Sequence, residues 1–202
     1  MNYPDFFDAV PRISLHDPLA EFLGTTENGL LQYSYVDAVR LAGHSCPTVA
    51  AAYWSTHKAL ALLYPDTLPV RGDIRVAFRL DSKTGVTGVI ANVVSMLTGA
   101  MSDNGFKGLG GRFDRRKRLF FTQAMQGEIR YTRLDTGQAV ELAFNLHLVP
   151  AAPQLSALMT ACLSGNATPA ETAEFRQLWQ ERVKRILLEH GDDPAVFVAL
   201  RV

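Results

Sequence analysis

Leu119-Phe120-Phe121-Thr122-Gln123-Ala124, Glu128-Ile129-Arg130-Tyr131-Thr132-Arg133-Leu134 and Ala139-Val140-Glu141-Leu142-Ala143-Phe144, continuing to Val149, decide the fold class. Three runs rich in β-branched and aromatic residues follow one another, separated by turns around Gly127 and Asp135-Thr136-Gly137. Turns this short join antiparallel strands, because a parallel connection needs a long crossover. In the third run Val140, Leu142, Phe144, Leu146 and Leu148 share one face, and Glu141, Asn145 and His147 share the other. Upstream, Gly72 to Asp81 alternates Ile74, Val76, Phe78 and Leu80 against Asp73, Arg75 and Arg79, which predicts a further half-buried strand.

Helical signals flank these strands. Asp17 and Pro18 read as an N-cap and first helical residue, with Leu19, Phe22 and Leu23 apolar. Ser34 with Asp37 resembles a capping box, and that helix stops at Gly43. Pro47 suits the first position of the next helix, which makes Cys46 its N-cap and runs it to Tyr64-Pro65-Asp66. Thr87 to Met101 reads as a helix that burial must hold, given its β-branched content. Thr168-Pro169-Ala170-Glu171 opens a C-terminal helix striped by Phe175, Leu178, Trp179, Val183, Ile186 and Leu187, ending at Gly191. A shorter helix precedes it, and Ala195 to Val202 reads as a last strand. Helices before and after a run of strands predict an α+β fold, with an antiparallel sheet packed against helices and two helices near the C-terminus. Length favours one domain over 1–202, made of an N-terminal extension (1–33), a core (34–150) and C-terminal helices (151–202).

Composition narrows the function classes. Twenty Lys plus Arg balance twenty Asp plus Glu, so no basic excess points to nucleic acid. Zero net charge weakly favours self-association. No apolar run spans a bilayer, and the start, Met1-Asn2-Tyr3-Pro4-Asp5, lacks the basic and apolar regions of a secretory signal. The two cysteines are far apart and form no disulfide framework, so a reduced, cytoplasmic setting without membrane contact is expected.

The chemistry concentrates at Gly43-His44-Ser45-Cys46-Pro47. One helix ends and another begins there, so Cys46 meets unpaired N–H groups and the positive end of a helix dipole, which stabilise a thiolate. His44, two residues earlier, is near enough to pair with it or to share a metal ion, and thiolate plus imidazole suits zinc, or iron or copper under the right geometry. The alternative is a buried cysteine acting as a small hydrophobe. A metal needs more than two ligands, and His16 is the candidate third, against its reading as a surface or capping histidine. His57 lies roughly 16 Å along the helix at ~1.5 Å per residue, too far to join. His147 reads as solvated, His190 as a helix-end residue, and Cys162 as packing. Gly105-Phe106-Lys107-Gly108-Leu109-Gly110-Gly111 has backbone N–H groups to cradle an anion, with Lys107 as a candidate substrate-binding residue, or it simply turns the chain. Arg112 and Arg115-Arg116-Lys117-Arg118 read as a solvated strand edge or an anionic-ligand patch.

Gly43-His44-Ser45-Cys46-Pro47 at a helix junction resembles the Gly-His-x-Cys-Pro signature of the FmdE-like family, named for a component of formylmethanofuran dehydrogenase. Thr98-Gly99 with Gly105-Phe106-Lys107-Gly108 is similar to that family's later Thr-Gly and Gly-Lys-Gly region, and the likeness covers roughly residues 35–145. The resemblance implies a commonly dimeric α+β core with a metal site using His44 and Cys46. Three departures stand out. Val89 and Asn92 stand where the family has the cysteine and aspartate of a Cys-x-x-Asp-Ala segment, Ala100 follows Thr-Gly where cysteine is frequent, and no C-terminal zinc-finger module is present.

The expectation is therefore a metal-binding FmdE-like protein, a metalloenzyme or accessory subunit, with a divalent transition metal, zinc first, and a small-molecule ligand. His44 and Cys46 are the candidate catalytic pair; His44, Cys46 and His16 are the candidate metal ligands. The alternatives are metal-free thiol chemistry, with Cys46 as nucleophile or redox centre and His44 as its base, and a haem-binding module using Cys46-Pro47.

Overall fold

The chain runs β1 (Ile13–His16), α1 (Pro18–Phe22), β2 (Leu30–Tyr33), α2 (Tyr35–Ala42), α3 (Pro47–Leu63), β3 (Ile74–Phe78), α4 (Thr87–Thr98), β4 (Leu119–Phe120), β5 (Ile129–Arg133), β6 (Ala139–Phe144), α5 (Leu155–Leu163), α6 (Pro169–Lys184) and β7 (Phe197–Arg201). This computed structural model describes residues 2–202. The fold is α+β, with a two-stranded antiparallel sheet and a five-stranded sheet ordered β4-β3-β5-β6-β7.

The helix starts and stops follow their local signals. The Asp17 carboxylate accepts from the N–H groups of Leu19 and Ala20. The Asp37 carboxylate accepts from Ser34 N–H and Oγ at 2.8 Å each. Thr168 and Glu171 cap each other reciprocally. α6 continues through a π-helical turn at Arg185–Glu189, and Gly191 follows with its carbonyl accepting from the Trp54 indole N–H.

α3 is the centre of the molecule. Its residues Val49 to Thr56 are buried without interruption, so it has no polar face, as in helices enclosed on all sides. α2, α4, α6 and β6 all pack on it. One buried cluster includes Phe7, Val10, Ile13 and Leu15 from the N-terminal region and Val196 and Phe197 from the end. Residues 2–33 are thus part of the core assembly and contribute β1 and β2, neither of which the sequence signals.

Strand pairing departs from expectation in one place. Residues 119–124 and 128–134 do not form a hairpin. Both edges of β5 are taken, by β3 and by β6, in antiparallel register. β4 instead lies parallel to β3, with Val76 opposite Leu119, on the outer edge of β3. The large sheet is therefore mixed. β3 is also shorter than its alternation, and Leu80, beyond its end, is 45% exposed. β6 stops at Phe144, after which Leu146–Leu148 forms a 3-10 turn that leaves His147 and Leu148 exposed.

Glu141 differs from its expected polar face. It is 1% exposed and accepts from Gln126 N–H at 2.9 Å, Gly127 N–H at 2.7 Å and Arg130 Nε at 2.9 Å. The Arg130–Glu141 cross-strand pairing and the tight turn at Gly127 close a polar pocket around it. Among the described residues no helix is long and apolar enough to cross a membrane.

The two buried carboxylates, Glu141 and Asp17, set measurable stabilities. Glu141→Ala leaves the N–H groups of Gln126 and Gly127 without their acceptor and Arg130 without its carboxylate, and urea unfolding will show a loss of about 3 kcal/mol. Asp17 sits between Arg71 Nη1 at 2.9 Å and Arg115 Nη2 at 2.7 Å. Burial pushes its carboxyl up, but the Arg71 hydrogen bond and the charges of Arg115 and Arg71 outweigh that and hold it below its ordinary 3.8. Its contribution is therefore present above pH 3.8 and is lost as pH falls through the lower folded-state value. Asp17→Asn will be less stable than wild type by about 3 kcal/mol at neutral pH, and the gap will close under acid denaturation below that value.

Candidate functional site

The α2–α3 junction is built by three local conditions. Gly43 adopts φ 76° and its N–H closes α2 on Val39 O at 2.8 Å, a left-handed cap that suits glycine. Cys46 is extended at φ −150°, and its Sγ accepts from Val49 N–H at 3.5 Å. Pro47 then opens α3 where no N–H is required.

His44 is exposed, and its ring is oriented. Nδ1 lies 2.9 Å from Ala42 O. A carbonyl only accepts, so Nδ1 carries the hydrogen and Nε2 of the neutral ring is left with its lone pair. This is the arrangement in which a backbone carbonyl sets a metal-binding histidine's tautomer. Cys46, by contrast, is buried at 8% exposure.

Between them Ser45 is clasped from a distant helix. Its carbonyl accepts from Trp179 Nε1 at 2.9 Å and from Gln180 Nε2 at 3.4 Å. Its hydroxyl donates to Gln180 Oε1 at 3.0 Å, so the Tyr35 hydroxyl, also at 3.0 Å, donates to Ser45 Oγ. Burial pushes the Tyr35 phenol well above its ordinary value, against the Ser45 hydrogen bond, which keeps Tyr35 neutral and able to donate. Sequence reading missed Tyr35, Trp179 and Gln180. The available signal was Trp179 itself, because an indole N–H on an apolar stripe needs an acceptor.

Two cavities border the junction. One of about 360 Å³ is walled by Phe7, Val39, Ser45, Phe175, Trp179 and their neighbours. Another of about 570 Å³ is walled by Leu41, Arg71, Asn92, Met96, Met101 and Phe121, among others. Asn92 therefore faces a cavity beside the end of α2. Neither His44 nor Cys46 is among the wall residues of either cavity.

The structure brings His44 and Cys46 to one turn. His16 lies on β1, where its Nε2 meets Glu21 Oε2 at 2.8 Å. Among the described residues no three His, Cys, Asp or Glu side chains gather as a metal-holding group, so His16 does not complete a set with His44 and Cys46. Lys107 is exposed on the glycine-rich loop, which is tied down by Arg115 N–H donating to Phe106 O at 2.8 Å. The His57 ring lies tilted against Trp54, 5.1 Å between centroids, and burial lowers its pKa despite Asp192. Cys162 is half-buried between α5 and α6.

The family described as "FmdE, Molybdenum formylmethanofuran dehydrogenase operon" matches residues 41–192. The chain belongs to the FmdE family. The match begins at Leu41, just ahead of Gly43-His44-Ser45-Cys46-Pro47, and extends through α5 and α6, beyond the stretch whose motifs carry the resemblance. The FmdE region therefore includes both the junction and the helix that clasps it. No curated protein matches the chain.

The clasp holds Ser45, the neighbour of buried Cys46, and removing it has a readable effect. Gln180→Ala removes one donor and one acceptor from Ser45, and thiol alkylation of folded protein will proceed several-fold faster at Cys46 than in wild type. Trp179→Phe will act in the same direction. Cys46→Ser keeps an N-cap acceptor, and its stability by thermal unfolding will stay within about 1 kcal/mol of wild type.

Proposed function

We propose that this FmdE-family chain is a metal-binding protein, with His44 Nε2 and Cys46 Sγ as its two protein ligands. The observation carrying this reading is the Nδ1–Ala42 contact, which leaves Nε2 as the acceptor on an exposed ring two residues from a helix-capping cysteine. An imidazole and a thiolate fit zinc. The donor set is two, so the remaining positions fall to water or to a small-molecule ligand. A bound ion would supply Lewis acidity there, while Ser45 and its clasp fix the spacing of the two ligands. A homodimer is the proposed assembly, supported by the zero net charge and by the family resemblance. The family description names an operon, which supports an accessory role alongside an enzyme.

A second reading follows from the same count of donors. With no third ligand gathered among the described residues, Cys46 at the start of α3 is a metal-free thiol centre with His44 beside it.

Elemental analysis of untagged protein separates the two. Stoichiometric zinc that is lost in both His44→Ala and Cys46→Ala supports the metal site. Metal content unchanged in both variants overturns it. Metal-free protein whose Cys46 alkylates with a thiol pKa well below ~8.5 establishes the thiol reading instead.

A further inference from the structure

The arginine-rich segment after the glycine loop is not a simple solvated edge. Arg112 and Arg116 are exposed, but Arg115 turns inward and is buried, its side chain 7% exposed. It helps wall a cavity of about 250 Å³ together with Pro18, Arg71, Gly72, Arg112 and Arg118. Four arginines thus line one small space, against two aspartates, Asp73 and Asp114.

The carboxylates nearby are already engaged. Asp17, behind the wall, takes Arg115 Nη2 and Arg71 Nη1. Asp73 takes Arg118 Nη1 at 3.1 Å, and Asp114 is held by Arg116 from outside the cavity. Arg71 spends its other donors on Met96 O. The wall is net positive, with four arginines against Asp73 and Asp114. Arg115 Nη1 is buried with no hydrogen-bond partner among the described residues. A charged donor left buried and unpaired costs about 1–3 kcal/mol or more. The space for it is specific, since a Cβ on Gly72 would collide with Nη1. The Arg112 guanidinium lies 4.7 Å over the Phe113 ring and makes no side-chain ion pair among the described residues.

We propose that this cavity binds a small oxyanion group, a phosphoryl or a carboxylate, held by Arg115 with Arg112 and Arg118. A guanidinium fork matches both groups geometrically, and Arg115 and Arg112 each keep donors that no carboxylate takes. Burial and the charges of Arg71 and Arg118 hold Arg115 below the usual arginine range in spite of Asp17, so an added anion relieves the crowding. The site uses neither His44 nor Cys46 and stands whether or not a metal binds there.

Calorimetric titration of the full chain with inorganic phosphate and, separately, with acetate tests it, using sodium chloride at matched ionic strength as the reference. Saturable binding of either anion above the chloride reference is expected, and the stronger of the two identifies the group. Arg112→Gln, an exposed change that keeps the fold, and Arg115→Lys, which keeps the charge but loses the fork, will each weaken binding by about tenfold. Arg40→Gln on α2 will leave it unchanged. If Arg115→Lys does not fold by circular dichroism, Arg112→Gln alone decides. Heats equal to chloride for both anions, or binding that Arg112→Gln does not weaken, would overturn the proposal.

Discussion

A helix with no polar side must be covered on every side, and α3 imposes that condition on the rest of this chain. Its buried run from Val49 to Thr56 contains three consecutive alanines, which lets neighbouring elements approach closely. α4, β6, α2 and α6 supply the cover, and the aromatic chain from Phe7 through Tyr35 to Tyr53 fills one end by edge-on contacts. The body of α3 is sealed, so chemistry is available at its N-terminal end. That is where the family motif lies.

Local instructions were the legible part of the fold. The caps at Asp17, Ser34, Cys46-Pro47 and Thr168 each depend on residues within a turn of one another, and each forms. Pairing was less legible because it is a competition among distant edges. Residues 119–124 read as the first arm of a hairpin, yet β5 already has two partners, and the edge of β3 takes β4. Glu141 shows the same limit. Its alternation marks it as solvent-facing, while its burial depends on Arg130 across the strand pair and on two N–H groups at the Gly127 turn.

The candidate site divides along the same line. His44 and Cys46 are close in sequence, and the junction that presents them is encoded by Gly43 and Pro47. No spacing ties His16 to them, and its Nε2 lies 2.8 Å from Glu21 Oε2. The clasp on Ser45 could not be read from spacing at all. The arginine cluster was ambiguous for a comparable reason, because whether a basic run faces solvent or a cavity depends on a glycine far upstream, at position 72.

The Ser45 clasp also bears on the order of assembly. Its donors, Trp179 and Gln180, stand 134 and 135 positions downstream of the residue they hold. A chain is made from its N-terminus, so Gly43 to Pro47 leaves the ribosome long before the helix that fixes it exists. Until α6 exists, Ser45 lacks both of its distant partners, Trp179 and Gln180. The motif acquires its final shape when α6 docks, and that docking is a late, long-range event in the history of the molecule.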